Sequence, residues 1–180
     1  MTIYPAQVNN SYWVQPKGQF IAQSIGYGAV TLVNLSTNTL YFAPFYLDKQ
    51  CLVWGAGLDV TTATTSMIRM GLYSNVSSKP SALIVDGGEI SGSSTGFRRV
   101  SLSLDLKPGW YWSAAAVQIT SGTLTVRGPN APLPFLGYSS GTDTSAHCGF
   151  SESYTYGALP ATASNLSIIS GTSPSILVQV

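Results

Sequence analysis

The residue pattern closest to a catalytic motif is GYSSG at residues 137–141, which fits the G-x-S-x-G arrangement around a nucleophilic serine. Asp143 and His147 follow, in the chain order serine, aspartate, histidine. A nucleophile elbow, however, requires a strand before the serine and a helix after it. Here Pro132 and Pro134 precede the motif, and no helical pattern follows it. We therefore predict that the chain is not an enzyme and has no catalytic residues.

A metal site would have to start from His147, the single histidine, and its neighbour Cys148. A structural zinc site needs four ligands, so Cys51 and Glu152 would have to supply the other two. The favoured interpretation is a loop histidine beside a buried cysteine, with no metal and no cofactor. Because the N-terminus lacks the features of a signal peptide, both cysteines are interpreted as free, small apolar residues.

Paired carboxylates are the third arrangement that could support catalysis. Glycoside hydrolysis needs two carboxyl groups about 5 to 9 Å apart across a cleft. Asp86 and Glu89 are the closest pair in sequence, but their odd spacing places them on opposite sides of a regular strand. Gly87-Gly88 between them indicates a turn or a bulge instead. No glycosidase pair is predicted.

Aromatic residues carry more information than the acidic ones. In the segment WYW, Trp110 and Trp112 share one face of a strand and Tyr111 lies on the other. The favoured interpretation is a sandwich core, because one face of such a strand must be buried. The alternative is a sugar-binding platform of flat rings. The chain has ten tyrosines, which would serve that role or a subunit interface.

These residues sit in a chain with a strong β pattern. Residues 101–106 alternate strictly between leucine and a polar residue, and Lys107-Pro108-Gly109 ends the strand. We predict an all-β antiparallel β-sandwich, with a jelly roll as first choice and another β-sandwich as second. The predicted strands are 29–35, 40–47, 51–60, 67–73, 83–90, 97–106, 110–118, 122–127 and 175–180, with short pieces near residues 136 and 154–156. Pro44 indicates an edge position or a bulge in its strand.

The chain divides into two predicted parts. Residues 39–180 form the sandwich domain, and residues 1–38 are an irregular N-terminal arm or attachment segment rich in proline, glycine and aromatic residues. Aromatic side chains in an irregular segment usually dock on a surface. The candidate partner-binding residues of this arm are Tyr4, Tyr12, Trp13 and Phe20.

Composition excludes some classes of partner. Net charge is +1, so there is no basic surface for nucleic acid, and no apolar run has the length of a membrane span. Charged residues make up 8% of the chain, against about 25% in an average globular protein. Either neighbouring subunits cover much of the surface or the surface is rich in serine and threonine. Composition leaves both open.

The segment from Gly71 to Ala114 resembles a β-sandwich module of phage virion proteins. The pattern is roughly G-L-Y, a loop, P-x-x-L, a strand, then L-x-L-x-P-G-x-Y-W-x-A. The matching residues are Gly71, Leu72, Tyr73, Pro80, Leu83, Leu104, Leu106, Pro108, Gly109, Tyr111, Trp112 and Ala114. The segments YFAPFYL (41–47) and PFLGY (134–138) strengthen the similarity. Such modules occur in tail fibres and minor structural proteins, and also in some secreted bacterial surface proteins.

The resemblance implies a non-enzymatic virion structural protein, made in the host cytoplasm. The shortness of the chain favours a capsid decoration (cement) protein that binds the particle surface as an oligomer. By analogy with other virion jelly rolls, the oligomer is a homotrimer, and its partner is the major capsid protein or a tail protein. The alternative is a receptor-binding or carbohydrate-binding module of a tail tip or tail fibre, with host surface polysaccharide as ligand.

Overall fold

The structure is a computed structural model that describes residues 20–21, 30–129 and 147–180, without the side chains of residues 20, 21 and 30. The described residues form twelve strands. These are β1 (Phe20–Ile21), β2 (Val30–Leu35), β3 (Thr39–Leu47), β4 (Cys51–Thr62), β5 (Ser66–Val76), β6 (Lys79–Ser91), β7 (Gly96–Leu106), β8 (Gly109–Ile119), β9 (Leu124–Pro129), β10 (His147–Ser153), β11 (Ser167–Ser170) and β12 (Leu177–Gln179).

The strands form two sheets, and every pairing is antiparallel. Sheet 1 has the order β1-β12-β4-β9-β2, with β7 also paired to β4. Sheet 2 has the order β11-β10-β3-β8-β5-β6. From β3 to β12, only β5–β6 and β10–β11 are consecutive strands within one sheet. Because the other connections cross between the sheets, alternating residues on both sheets face a common interior.

The core between the sheets explains the strict alternation of the sequence. On β5, Ile68, Met70 and Leu72 are fully buried in it, and Arg69 points to the outer face. On β7, Leu102 and Leu106 are buried and Leu104 packs against the same core. Burying one such leucine side chain contributes about 1.5–3 kcal/mol, so the registers of these strands are strongly specified.

A second apolar cluster lies on the outer face of sheet 2. Its members are Leu40, Phe42, Tyr73, Trp112, Ala114, Ala116, Phe150, Tyr154 and Leu159. Residues 154–166, here called the strap, leave β10 and cross this face. Leu83 N–H donates to Ala161 O at 2.9 Å, and Ala163 N–H donates to Ser81 O at 2.8 Å. These bonds pair the strap with β6, the edge strand of sheet 2, and so protect that edge from other chains.

The predicted all-β antiparallel sandwich is confirmed, and the jelly-roll topology stays a prediction. The predicted strand at 154–156 is wrong, because the strand ends at Ser153 and Tyr154 already belongs to the strap. The piece near residue 136 lies outside the described residues. Pro44 pairs only with β8, since the pairing of β3 with β10 ends at Phe42. The division at residue 38 stays a prediction, and β2, within the first part, pairs with β9.

Candidate functional site

A small pocket opens at one end of the outer face of sheet 2. We call it the aromatic pocket, and it is lined by Pro44, Asn75, Ser78, Trp110, Tyr111 and Trp112. Pro44 lies opposite Trp112 across β3 and β8, and Tyr46, beside the pocket, lies opposite Trp110 one row further. The strand period of two places all four side chains on the outer face. The pocket has a volume of about 60 Å³.

The aromatic rings of the pocket differ in burial. Trp112 is 1% exposed and belongs to the second apolar cluster, whereas Trp110 is half-buried. The ring of Tyr46, itself 38% exposed, lies 4.9 Å from that of Trp110 at an angle of 45°. Tyr111 faces the interior and stacks on Phe45 at 5.7 Å. The interpretation of WYW as core therefore holds for Trp112, while Trp110 lines a pocket.

Two polar residues complete the aromatic pocket. Trp112 Nε1–H donates to Asn75 Oδ1 at 2.9 Å. This hydrogen bond assigns the oxygen of the Asn75 amide to the side facing Trp112. Ser78 lies in the two-residue turn between β5 and β6, where Ser77 and Ser78 have φ of 50° and 60°. Residues other than glycine rarely adopt such angles, so the turn is strained next to the pocket. The pocket is lined by neutral groups only.

A charged cluster lies on the same face, beneath the strap. Arg69 Nε donates to Asp86 Oδ2 at 2.9 Å, and Arg69 Nη1 lies 4.0 Å from Glu89 Oε2. The expectation that odd spacing separates Asp86 from Glu89 fails because the pairing of β5 with β6 shifts between Arg69 and Gly71. The bulge, which Gly87-Gly88 indicated as one alternative, brings both carboxylates to Arg69.

The charged cluster holds the strap rather than a ligand. Asp86 Oδ2 accepts from Leu159 N–H at 2.9 Å, and Tyr73 Oη donates to Pro160 O at 2.8 Å. Burial alone would raise the pKa of Asp86, but the N–H groups of Leu159 and Gly88 and the guanidinium of Arg69 hold that pKa below its usual value. Such saturated carboxylates favour a structural role, since general acid–base work needs an accessible group.

The strap has a second carboxylate anchor. Glu152, 8% exposed at the end of β10, accepts from Ser164 N–H at 2.9 Å and from its hydroxyl at 3.1 Å. Tyr156 Oη donates to Glu89 at 3.0 Å, and burial together with this carboxylate raises the pKa of Tyr156. Three of the seven carboxylates in the chain, those of Asp86, Glu89 and Glu152, therefore bind residues of the strap.

The outer face of sheet 1 exposes large apolar side chains. Leu32 is 62% exposed, Trp54 42% and Phe97 37%. Gly57 has no room for a Cβ, which would lie 2.4 Å from the ring of Phe97. Next to it, the aliphatic part of Arg99 lies across Gly55. The glycines of β4 thus let long side chains of β7 lie flat on the sheet, a function that the sequence pattern did not reveal.

The residues considered for catalysis and metal binding do not assemble within the described part. His147 and Cys148 are buried at the start of β10, in a strand rather than in the predicted loop. Neither Cys51 nor Cys148 forms a disulfide, and burial raises the pKa of each thiol. Among the described residues, no three His, Cys, Asp or Glu side chains are grouped to hold a metal. Ser139 and Asp143 lie outside those residues.

The predicted partner-binding residues are mostly outside the described part as well. Tyr4, Tyr12 and Trp13 lie there, and of Phe20 only the backbone is described, paired with Gln179 of β12. Asn75 and Ser78 of the aromatic pocket, and Tyr46 beside it, were missed by the sequence analysis. Alternation places Tyr46 on one face of β3 with Pro44 and Phe42. That this face also carries Trp110 follows only from the register of β3 against β8.

Within residues 20–21, 30–129 and 147–180, no helix has the length and apolar character needed to cross a membrane. A scan against models of protein families and a search of curated proteins both find no match for this chain.

Proposed function

We propose that this chain is a non-enzymatic virion structural protein of a bacteriophage, a capsid decoration protein that binds the particle surface as a homotrimer. The proposal starts from the resemblance of the segment 71–114 to virion modules. Its partner in the particle is the major capsid protein, contacted through the segment 1–38. The alternative attachment point is a tail protein, and the same fold serves both.

The observation that carries the proposal is the exposed apolar surface on sheet 1. Leu32, Trp54 and Phe97 lie on strands of this one sheet and are all more than one third exposed. Large apolar side chains that one sheet leaves exposed offer a contact surface to another protein. The low content of charged residues, 8% of the chain, is in keeping with subunits that share surface.

Immunogold electron microscopy of purified particles tests the location. Label spread over the head is the expected result, and label confined to the tail tip would move the proposal to host recognition. Absence of label from every particle would contradict a virion role. Deletion of residues 2–18 is expected to abolish incorporation, and normal incorporation of that deletion would contradict the role of the arm.

Oligomerisation is tested separately by light scattering after size-exclusion chromatography. Leu32→Lys places a charge on the exposed face of sheet 1 and is expected to shift the protein from trimer to monomer. Thr61 is not a suitable position for the control substitution, because it is half-buried beside β9 and its hydroxyl donates to Thr125 O. Ser167→Lys on the exposed strand β11 of sheet 2 is the matched control, and equal effects of the two changes would contradict the interface.

A second function is favoured by the aromatic pocket. The pair Tyr46 and Trp110 beside Asn75 has the composition of sugar-binding sites, in which flat rings contact sugar faces and amides orient hydroxyl groups. We propose that the protein, when located at a tail tip, binds a surface polysaccharide there. Saturable quenching of tryptophan fluorescence by host polysaccharide is the expected result, and its loss in Trp110→Ala locates the site.

A further inference from the structure

We propose that two edges of sheet 1 join the subunits, with β2 of one copy pairing with β7 of the next copy. This inference rests on the proposed function, which makes the protein a homotrimer, and it names the contact between subunits. β4 pairs with β7 along one side and with β9 along the other, since Val60 lies opposite Gly96 of β7 and opposite Val126 of β9. β2 lies beyond β9. Within the described residues, β2 and β7 each pair with one strand only, so sheet 1 ends in two different free edges.

The backbone of β2 offers hydrogen-bonding groups to its free edge at Leu32 and Asn34. These residues lie opposite Arg127 and Thr125 of β9. Arg127 O accepts from Ser175 N–H at 3.0 Å, and Thr125 O accepts from a hydroxyl group of β4 at 3.2 Å, so both carbonyl groups point away from β2. Such opposite residues in an antiparallel pair do not bond each other. The N–H and C=O groups of Leu32 and Asn34 therefore point outward.

β7 has the same arrangement at the opposite end of sheet 1. A Cβ on Gly55 would lie 2.8 Å from Val100 O, which shows that this carbonyl group points to β4. Arg99 and Ser101 precede and follow Val100, and both are exposed. Because successive residues of a paired strand direct their N–H and C=O groups to opposite sides, those of Arg99 and Ser101 point to the free edge.

The side chains leave both edges open. Natural edge strands are commonly protected by charged side chains or by proline. The side chain of Arg99 instead lies across Gly55 and donates to Gln179 of β12, on the far side of β4. β2 has the sequence VTLVNL, with neither a charge nor a proline. The backbone of each edge is therefore accessible to a strand of another chain.

Charge and symmetry select the pairing of β2 with β7. Two β7 edges would place the Arg99 side chains of two copies on adjacent strands, where like charges are destabilising. Two β2 edges would pair around a twofold axis and give a dimer, whereas a contact between different edges closes a ring of three. Pairing β2 with β7 also brings Leu32, 62% exposed, and Phe97, 37% exposed, to adjacent strands.

The test is light scattering after size-exclusion chromatography of the full chain, over a series of concentrations. Asn34→Pro and Ser101→Pro each remove one outward N–H group, and edge strands tolerate proline at such positions. Each variant is expected to have one third of the mass of the parent trimer. Asn34→Ala and Ser101→Ala are the matched controls, because they lose the same side chains but keep the N–H groups. Both controls should remain trimers.

A mixture of the two proline variants tests which edges meet. Asn34→Pro keeps its β7 edge and Ser101→Pro keeps its β2 edge, so the mixture should form a dimer with one copy of each. Neither variant should associate alone. A dimer of Ser101→Pro alone would show that two β2 edges pair, and a dimer of Asn34→Pro alone would show that two β7 edges pair. Either result, or a mixture that stays monomeric, would overturn the proposal.

Failure of this inference is distinguishable from failure of the proposed function. Proline variants that remain trimers would overturn the edge pairing and leave the homotrimer in place. A parent that is monomeric at every concentration would overturn both, while immunogold labelling would still decide the virion role. Circular dichroism compares each proline variant with its alanine control. If a proline variant does not fold, Leu32→Pro or Arg99→Pro blocks the same edge at a second position.

Discussion

Asp86 and Arg69 form an ion pair across β6 and β5, with 2.9 Å between Oδ2 and Nε, and the same carboxylate oxygen accepts the N–H of Leu159. Both charged side chains are about four fifths buried, at 20% and 21% exposure. The Asp86 carboxylate therefore links the Arg69 guanidinium, on the outer face of sheet 2, to the strap that covers the second apolar cluster. The strap and the bulge of sheet 2 depend on each other through this residue.

Asp86→Ala is expected to lower the free energy of unfolding by about 2–3 kcal/mol, because it leaves the Arg69 charge and the Leu159 N–H without this acceptor. Urea denaturation measures the effect. The control is Asp59→Ala, which breaks the more exposed pair with Arg127 and should cost less than about 1 kcal/mol. Equal losses in the two variants would contradict the anchoring role.

The decrease of the free energy of unfolding at acidic pH should depend on Asp86. Its pKa is lowered in the folded state, so its contribution is present above the unfolded pKa of about 3.9 and is lost as pH falls through the folded pKa. The stability difference between the parent and Asp86→Asn should be constant from pH 7 to about pH 5. It should then shrink below about pH 4. Urea denaturation at a series of pH values checks this, and a difference that is unchanged at pH 2 would contradict it.

Gly71→Ala should destabilise the protein by about 1–3 kcal/mol. The new Cβ would lie 2.4 Å from Val85 O and 2.5 Å from Leu159 Cδ1, and the backbone oxygen cannot move aside without disturbing β6. Thermal unfolding followed by circular dichroism measures the loss. Gly157→Ala in the strap is the matched control, because its Cβ would meet only Thr155 O at an ordinary 3.9 Å. A near-neutral Gly71→Ala would show that the strap is not tightly packed there.

Ser78→Gly should stabilise the protein by about 1 kcal/mol, since glycine adopts the φ of 60° found in this turn without steric cost. The same change at Ser103, exposed in the extended strand β7, should instead destabilise it by about 0.5–1 kcal/mol. Chemical denaturation of the two variants tests the opposite signs. Loss of stability in both variants would mean that the Ser78 side chain makes a favourable contact.

Local patterns explain why so many strands were predicted. The alternation of Leu102, Leu104 and Leu106 sets β7, and Pro108-Gly109 separates it from β8, because a period of two and a turn residue act over a few positions. β11 (Ser167–Ser170) was missed, since its four residues are mostly exposed and carry little alternation. His147–Ser153 was missed because its sequence HCGFSES has no regular alternation of apolar and polar residues, and its partners β3 and β11 pair with it through residues distant in the chain.

The sequence by itself determined the all-β class, the inward faces of β5 and β7, and the pairing of Trp110 with Trp112 on one face, because each follows from the two-residue period of a strand. Only the tertiary structure decided which faces meet. The bulge at Gly71 brings Asp86 and Glu89 to one arginine, and the strap converts the outer face of sheet 2 into a second core. The register of β3 against β8 places Tyr46 beside Trp110. These are contacts between residues distant in the chain, whose geometry depends on the packing of both sheets and not on any local preference.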